Sequence, residues 1–82
     1  MFEVVLTNRA IKDLNKFPND VKSRILTKIN DYSISPFDYA IKLTNSELGT
    51  YRFHIGDYRV IFDVDINTLI ILRIGHRREI YR

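Results

Sequence analysis

The clearest pattern in the chain is an alternation of apolar and polar residues on both sides of Gly56-Asp57. A two-residue turn of this kind between alternating runs is typical of a β-hairpin. Because directly opposed residues share a face of a sheet, the turn fixes the pairing of the two strands. The predicted pairs are Ile55 with Tyr58, His54 with Arg59, Phe53 with Val60, and Arg52 with Ile61.

The period of two also separates the hairpin into two faces. The apolar face consists of Tyr51, Phe53, Ile55, Tyr58, Val60, Phe62 and Val64. The opposite face, called the cationic face below, carries Arg52, His54, Arg59, Ile61 and Asp63.

A third apolar run, from about Leu69 to Gly75, predicts a strand that pairs with the second strand of the hairpin. A four-residue loop before it would place Arg73 in the core, so we favour a three-residue loop at Ile66–Thr68. That register is expected to bring Arg73 onto the cationic face as an ion-pair partner of Asp63. Its predicted pairs are Val64 with Ile70, Phe62 with Leu72, and Val60 with Ile74.

The residues before the hairpin predict a strand, two helices and a connector. Phe2–Thr7 is rich in β-branched and aromatic residues, and Thr7 or Asn8 can cap the helix that follows. Pro18 separates two helices whose apolar stripes would cover the apolar face. The stripes are Ala10, Ile11, Leu14 and Phe17 in the first helix and Val21, Ile25, Leu26, Ile29 and Tyr32 in the second. The connector is expected to contain a helical turn near Phe37–Ala40 and an extended piece at Ile41–Leu43.

These elements predict an α+β fold. A small, twisted and mainly antiparallel sheet would include the N-terminal strand, and an αα-hairpin would pack on one face. The 82 residues are enough for one core, so residues 1–82 are expected to form a single domain. The chain has no cysteine, which excludes disulfide bonds and thiolate metal sites. The sequence shows no signal peptide and no apolar stretch of about 20 residues, and we expect a cytoplasmic protein.

The basic residues are unevenly distributed, although the formal net charge is only +3. Every lysine lies at or before Lys42, and every later basic residue apart from the histidines is an arginine. Because the arginine fork suits phosphate, this distribution favours a polyanion ligand for the last third of the chain. The alternative is a solvated surface without a ligand.

Metal-free cleavage of RNA fits the residue types of the cationic face. Such cleavage uses the 2′-hydroxyl of the substrate as nucleophile and needs cations for the phosphate together with a proton donor. Arginine, histidine and tyrosine side chains can supply these functions. Two histidines without cysteine or a nearby carboxylate pair make a poor metal site, so no metal or cofactor is expected.

The strings TYRFHIGDYRVIF and ILRIGHRREIYR, with Lys42-Leu43 upstream, resemble the RelE branch of the RelE/ParE toxin superfamily. The opening strand and the helix with AIKDL show the same likeness, which covers essentially the whole chain. The resemblance implies a ribosome-dependent endonuclease that cuts messenger RNA in the decoding site and a cognate antitoxin that silences it. An alternative is a non-catalytic or ParE-like toxin that binds DNA gyrase or only its antitoxin.

The resemblance also implies roles for individual residues. Arg59 matches the arginine that contacts the scissile phosphate, Arg77 the arginine of the basic ending, and Tyr81 the tyrosine that orients or stacks on the substrate. Arg52 stands where many relatives carry a lysine, and an arginine cannot act as a base. Some other group would have to serve, or no specific base at all. His54 and His76 are the nearby side chains whose ordinary pKa lies near neutrality, and of the two His76 is favoured because it lies in the ending that resembles the family. Further predicted RNA contacts, each with a surface role as the alternative, are Lys42, His54, Arg73 and Arg78.

Overall fold

The computed structural model describes residues 1–44 and 47–81. Their five-stranded sheet has the order β1-β5-β4-β3-β2, in which β1 is parallel to β5 and the other pairs are antiparallel. The α+β class and the incorporation of the N-terminal strand are confirmed. The elements are β1 (Glu3–Leu6), α1 (Asn8–Leu14), α2 (Asn19–Tyr32), a 3₁₀ turn (Pro36–Asp38), β2 (Ile41–Lys42), β3 (Tyr51–Ile55), β4 (Tyr58–Asp65) and β5 (Thr68–His76).

Thr7 joins the first strand to the first helix. Its hydroxyl oxygen accepts a hydrogen bond from the Ala10 amide at 3.2 Å, so Thr7 is the N-cap of α1. The same hydroxyl donates to the Ile71 carbonyl at 2.9 Å, which ties the start of the helix to β5. Both predicted helices are present, but α1 ends at Leu14 and Phe17 lies in the link to α2.

The two helices cover the apolar face of the sheet. Ile11 and Leu26, which were predicted to be core residues, are 42% and 40% exposed, because the stripes are narrower than expected. Each fully buried aliphatic or aromatic side chain contributes about 1.5–3 kcal/mol to folding. The buried core consists of Ala10, Leu14, Ile25, Ile29, Phe53, Ile55, Val60, Phe62, Leu69, Ile71 and Ile74.

The hairpin has the register that its turn predicts. All four expected pairs between β3 and β4 are present, and Tyr51 pairs with Phe62 in addition. Gly56 in the turn has φ +59°, a left-handed conformation that glycine adopts without strain.

The register predicted for β5 is correct at one end of the strand and wrong at the other. The loop contains only Ile66 and Asn67, so Val64 pairs with Leu69 and Phe62 with Ile71. A β-bulge between Ile61 and Phe62 then leaves Leu72 without a partner. The extra residue restores the predicted pairs of Val60 with Ile74 and Ile61 with Arg73. The bulge lets both halves of β5 direct apolar residues into the core despite the short loop.

The cationic face is covered at its centre. Ile61 is fully buried there. A Cβ atom on Gly49 would lie 2.7 Å from Ile61 Cγ2 and 2.9 Å from Leu72 Cδ1, so the segment before β3 passes directly over the sheet. The prediction of an open cationic face along the hairpin is therefore wrong. The charged residues lie beside this cover, nearer the Gly56-Asp57 turn.

Beyond the end of β1, the carboxylate of Asp13 accepts hydrogen bonds from residues at the edge of β5. Its Oδ2 atom accepts hydrogen bonds from the Ile74 amide at 3.0 Å and from Arg73 Nε at 2.8 Å. Burial alone would raise the pKa of Asp13, but these hydrogen bonds and the Arg73 charge outweigh it and lower the pKa below its usual value. The predicted ion pair of Arg73 with Asp63 is wrong, because Asp63 accepts from the Thr50 amide instead.

Candidate active site and nucleic-acid interface

The hairpin turn and the end of β5 lie side by side. Arg59 pairs with His54 on one side and with Gly75 on the other, and Tyr58 pairs with His76. The Arg77 amide donates to the Asp57 carbonyl at 2.8 Å and so fixes the residues after β5 against the turn. We call this region the basic end of the sheet. Its members are Arg24, Arg52, His54, Arg59, His76, Arg77 and Tyr81.

Arg59 is held by backbone carbonyls rather than by a carboxylate. Its Nη1 atom donates to the carbonyls of Gly56 and Tyr58, both at 2.9 Å. Within the described residues it forms no salt bridge, and the neighbouring carboxylate of Asp57 is not its partner. The guanidinium is therefore oriented while its charge is not neutralised by a carboxylate, as an anion-binding group requires.

Asp57 pairs instead with Arg77. The distance from Arg77 Nε to Asp57 Oδ1 is 3.7 Å, and both side chains are more than half exposed. An ion pair this exposed contributes little to stability, so Arg77 can exchange Asp57 for an anionic ligand.

His76 is held from two sides. Its Nδ1 atom accepts a hydrogen bond from the Arg78 amide at 3.2 Å, and its ring meets Tyr58 edge to face at 5.7 Å. The neutral ring therefore carries its proton on Nε2. In this tautomer His76 is a hydrogen-bond donor to the solvent side, which makes it a weaker candidate for the proton acceptor than the sequence suggested.

The structure brings Arg52 and Tyr81 together. Arg52 Nη1 donates to the Tyr81 hydroxyl oxygen at 2.8 Å, and Arg52 Cζ lies 5.9 Å from the centre of the Tyr81 ring. Arg52 Nε is buried and has no hydrogen-bond partner among the described residues. The two side chains thus form one unit, although they are 29 residues apart in the sequence.

His54 lies between two guanidinium groups on the same face. Arg59 is opposite it on β4, and Arg52 is two residues away on β3. Partial burial and the positive charges of Arg59 and Arg52 lower the pKa of His54 below its ordinary value. The imidazole is therefore neutral at neutral pH and has a free lone pair.

Arg24 is a member of the basic end that the sequence did not reveal. Its Cζ lies 5.7 Å from the centre of the Tyr58 ring, and its Nη2 lies 3.0 Å from the position of a Cβ on Gly56. Helix α2 therefore contributes a cation beside the Arg59 carbonyl contacts. The spacing of α2 does not distinguish Arg24 from Lys22 or Lys28, so no signal in the sequence could have selected it.

Three of the predicted RNA contacts are not members of the basic end. Lys42 pairs with Tyr51, which places it on the helix side of the sheet at the end remote from the hairpin turn. Arg73 is bound to buried Asp13 through Nε. Arg78 is exposed, and its amide supports His76.

A cleft of about 330 Å³ opens beside the basic end, between α1 and the end of β5. It has both acidic and basic groups on apolar walls. It is lined by Asp13, Lys16, Phe17, Arg73, Ile74, Gly75, His76, Glu79 and Ile80.

Residues 4–81 match the family model described as the ParE toxin of the type II toxin–antitoxin system parDE. The chain belongs to the RelE/ParE superfamily of toxins. This assignment agrees with the resemblance of the GDYRVIF and GHRREIYR segments. Among the described residues, no helix has the length and apolar character needed to cross a membrane.

Relatives with RelE names cover nearly the whole chain. Toxin RelE3 of Methanocaldococcus jannaschii is 30% identical over an alignment of 83 residues, which covers 96% of this chain and 94% of the relative. Toxin RelG of Mycobacterium tuberculosis is 31% identical over 84 residues, with coverage of 99% and 97%. The toxin–antitoxin complex RelBE2 of M. tuberculosis contains a chain with a TM-score of 0.83 and 29% identity, covering 93% of this chain and 98% of that one. The family model that matches this chain is thus described as the ParE toxin, whereas these similar proteins carry RelE-type names.

Proposed function

We propose that this RelE/ParE-superfamily toxin is a ribosome-dependent endoribonuclease that cleaves messenger RNA in the decoding site and thereby inhibits translation in the cytoplasm. The observation that carries the proposal is the position of Arg59. Its guanidinium is oriented by two carbonyls, lies opposite His54 and has no carboxylate partner among the described residues. A cation held beside a neutral imidazole offers a charge for the phosphate and a proton acceptor, two of the functions that cleavage through a 2′-hydroxyl uses.

In the proposed reaction the substrate and the basic end supply the reacting groups, and the ribosome holds the substrate in line. The 2′-oxygen attacks phosphorus and loses its proton to a base, while the bond from phosphorus to the 5′-oxygen breaks and that oxygen receives a proton. The products are a 2′,3′-cyclic phosphate and a 5′-hydroxyl. Arg59 and Arg77 stabilise the charge that grows on the phosphate oxygens.

Tyr81 suits the role of proton donor to the leaving oxygen. Its hydroxyl oxygen accepts from Arg52, which leaves the phenolic hydrogen free to donate. Arg52 thus acts through Tyr81 and through phosphate binding, since it cannot itself accept a proton.

His54 is the proton acceptor in this proposal, in place of His76. His76 uses Nδ1 for the Arg78 amide, whereas no hydrogen bond within the described residues engages the His54 ring. The guanidiniums of Arg52 and Arg59 keep His54 neutral and therefore able to accept a proton.

Replacing His54 with glutamine should lower the single-turnover cleavage rate by about 10²-fold or more, the usual size of a general-base contribution. In the parent protein the rate should fall only when the pH drops below the ordinary histidine value of 6.5, because the pKa of His54 is lowered. Rates measured on programmed ribosomes between about pH 5 and pH 8 test this. His76→Gln is the matched control. If the cleavage rate of His54→Gln still falls at low pH as the parent rate does, the assignment of His54 as the proton acceptor is contradicted.

Arg24 should strengthen RNA binding without taking part in the chemistry. Arg24→Ala is expected to weaken binding to an RNA oligonucleotide and to reduce the slope of log affinity against log salt by about one. Fluorescence titrations at several salt concentrations measure both effects. Lys28→Ala removes an equal charge from an exposed position of the same helix and should leave the slope nearly unchanged. Equal slopes in the two variants would exclude Arg24 from the interface.

The second partner in the proposal is a cognate antitoxin. The RelBE2 structure from M. tuberculosis is a toxin–antitoxin complex, and this chain matches one chain of it along almost its full length. Co-expression with the product of an adjacent short reading frame, followed by purification on a tag carried by that product, tests the partnership.

A gyrase-directed toxin is the second candidate, because the matching family model is that of the ParE toxin. The arginine at position 52 also favours it, since many RelE-type relatives carry a lysine there. Purified protein added to programmed ribosomes, with message length read on a gel, decides between the candidates. Codon-sized cleavage products support the endoribonuclease. Intact message together with inhibition of gyrase supercoiling supports the second candidate.

A further inference from the structure

We propose that Ile80, seated on Gly75, is the positioning residue that holds Tyr81 against Arg52. The residues after β5 fold back onto the sheet instead of continuing away from it. Ile80 is 2% exposed although its neighbours Glu79 and Tyr81 are exposed. The contact itself is independent of the proposed function, whereas its effect on cleavage rests on that function.

The terminal turn is built from backbone hydrogen bonds. The amides of Glu79 and Ile80 both donate to the His76 carbonyl, at 2.9 and 3.0 Å, and the Arg77 amide donates to Asp57. These bonds set the path of the chain but do not fix the direction of the last side chains. Ile80 is the buried apolar side chain of the segment 77–81 and is therefore its anchor on the sheet.

Gly75 provides the seat. A Cβ atom at this position would lie 2.9 Å from Ile80 Cδ1 and 3.4 Å from Ile80 Cβ. Gly75 is a strand residue without a positive φ, so the backbone does not require glycine here. Glycine weakens a strand interior, and one reason to place it there is the close approach of another segment. Here the approaching segment is the terminal turn, which contacts Gly75 through Ile80, the residue before Tyr81.

The position of Tyr81 follows from this seat. With Ile80 in place, the Tyr81 hydroxyl reaches Arg52 Nη1 at 2.8 Å and its ring covers the guanidinium. Tyr81 is 47% exposed, so burial of its own ring does not hold it. Arg52 Nε is buried and has no partner in the described part of the chain, so without Tyr81 the guanidinium would also lose its contact at Nη1.

Gly75→Ala tests the seat from the sheet side. The variant should release the terminal turn, lowering the hydrogen-exchange protection of the Ile80 amide about tenfold or more. In protein labelled with 3-fluorotyrosine, the ¹⁹F signal of Tyr81, assigned by its absence in Tyr81→Phe, should move towards its position in free tyrosine. Ile80→Ala tests the seat from the turn side and should produce the same two changes.

A conservative double variant should restore the contact. Ile80→Val removes the Cδ1 atom that lies closest to the new methyl group, so Gly75→Ala/Ile80→Val should regain the parent exchange rate and ¹⁹F position. Unchanged exchange and ¹⁹F signals in both Gly75→Ala and Ile80→Ala would overturn the proposal. A double variant no better than Gly75→Ala would also overturn it.

Cleavage kinetics separate the seat from the proposed function. If the protein is the proposed endoribonuclease, Gly75→Ala should lower kcat by about 10- to 100-fold with little change in KM, because a catalytic group has moved while phosphate binding remains. If the parent protein does not cleave messenger RNA, the proposed function fails, and the exchange and ¹⁹F results still decide the seat.

Discussion

Replacing Arg59 with alanine is expected to abolish messenger cleavage on programmed ribosomes while leaving the melting temperature nearly unchanged. Among the described residues, the side-chain hydrogen bonds of Arg59 go to the backbone carbonyls of Gly56 and Tyr58 at the hairpin turn, so the fold should depend little on its guanidinium. Loss of one oriented donor to a developing anion costs about 10²–10³ in rate. Single-turnover cleavage, followed on a sequencing gel alongside thermal unfolding, measures both quantities.

Two comparisons sharpen this experiment. Lys12→Ala removes the same charge from an exposed position on α1 and should retain the parent cleavage rate. Arg77→Ala should lose activity as Arg59→Ala does, because both guanidiniums face the same phosphate in the proposed reaction. Parent-like cleavage in Arg59→Ala and in Arg77→Ala would refute the placement of the active site at the basic end.

Replacing the buried Asp13 with alanine should give the largest loss of stability among substitutions of the charged residues that the structure describes, about 3 kcal/mol in the free energy of unfolding. The side chain is 5% exposed and receives hydrogen bonds from Arg73 Nε and from the Ile74 amide. Alanine leaves both donors without an acceptor at the edge of β5. Urea denaturation followed by circular dichroism measures the change.

Asp31→Ala is the matched control, because Asp31 is exposed on α2 and its replacement should change the free energy of unfolding by less than about 0.5 kcal/mol.

The dependence of stability on acid pH provides a second check. Since the folded-state pKa of Asp13 is lowered, its stabilising effect is fully present above the unfolded value of 3.8 and is lost as the pH falls through the lower folded value. Asp13→Asn should flatten that part of the stability curve. A curve as steep as that of the parent protein would contradict the role of Asp13.

The hairpin could be predicted in full from the sequence because its register depends only on a local turn and a period of two. The pairing of His54 with Arg59 followed directly. The register of β5 could not be predicted in the same way, because alternation does not reveal a residue without a partner. The bulge leaves Leu72 without a partner. Every pair between Leu72 and the loop that joins β4 to β5 is therefore displaced by one residue from the predicted register.

The contacts that complete the site come from segments distant in the sequence. The sequence predicted that Arg73 pairs with Asp63 on the neighbouring strand. In the structure its partner is Asp13 of α1, which also accepts a hydrogen bond from the Ile74 amide at the edge of β5. Arg24 likewise reaches the basic end through the packing of α2 near Tyr58. Such contacts depend on how helices cross a sheet, which periodicity along one segment does not determine.

The parallel pair of β1 and β5 has a consequence for the order of folding during synthesis. Glu3 pairs with Thr68, and the Thr7 hydroxyl reaches the carbonyls of Ile71 and Leu72. The first strand to be translated therefore waits for the last strand before it gains a partner, and pairings so distant in sequence form slowly. The sheet closes, and the basic end is assembled, only after β5 has left the ribosome. A nascent chain whose β5 is still inside the ribosome thus lacks the folded basic end.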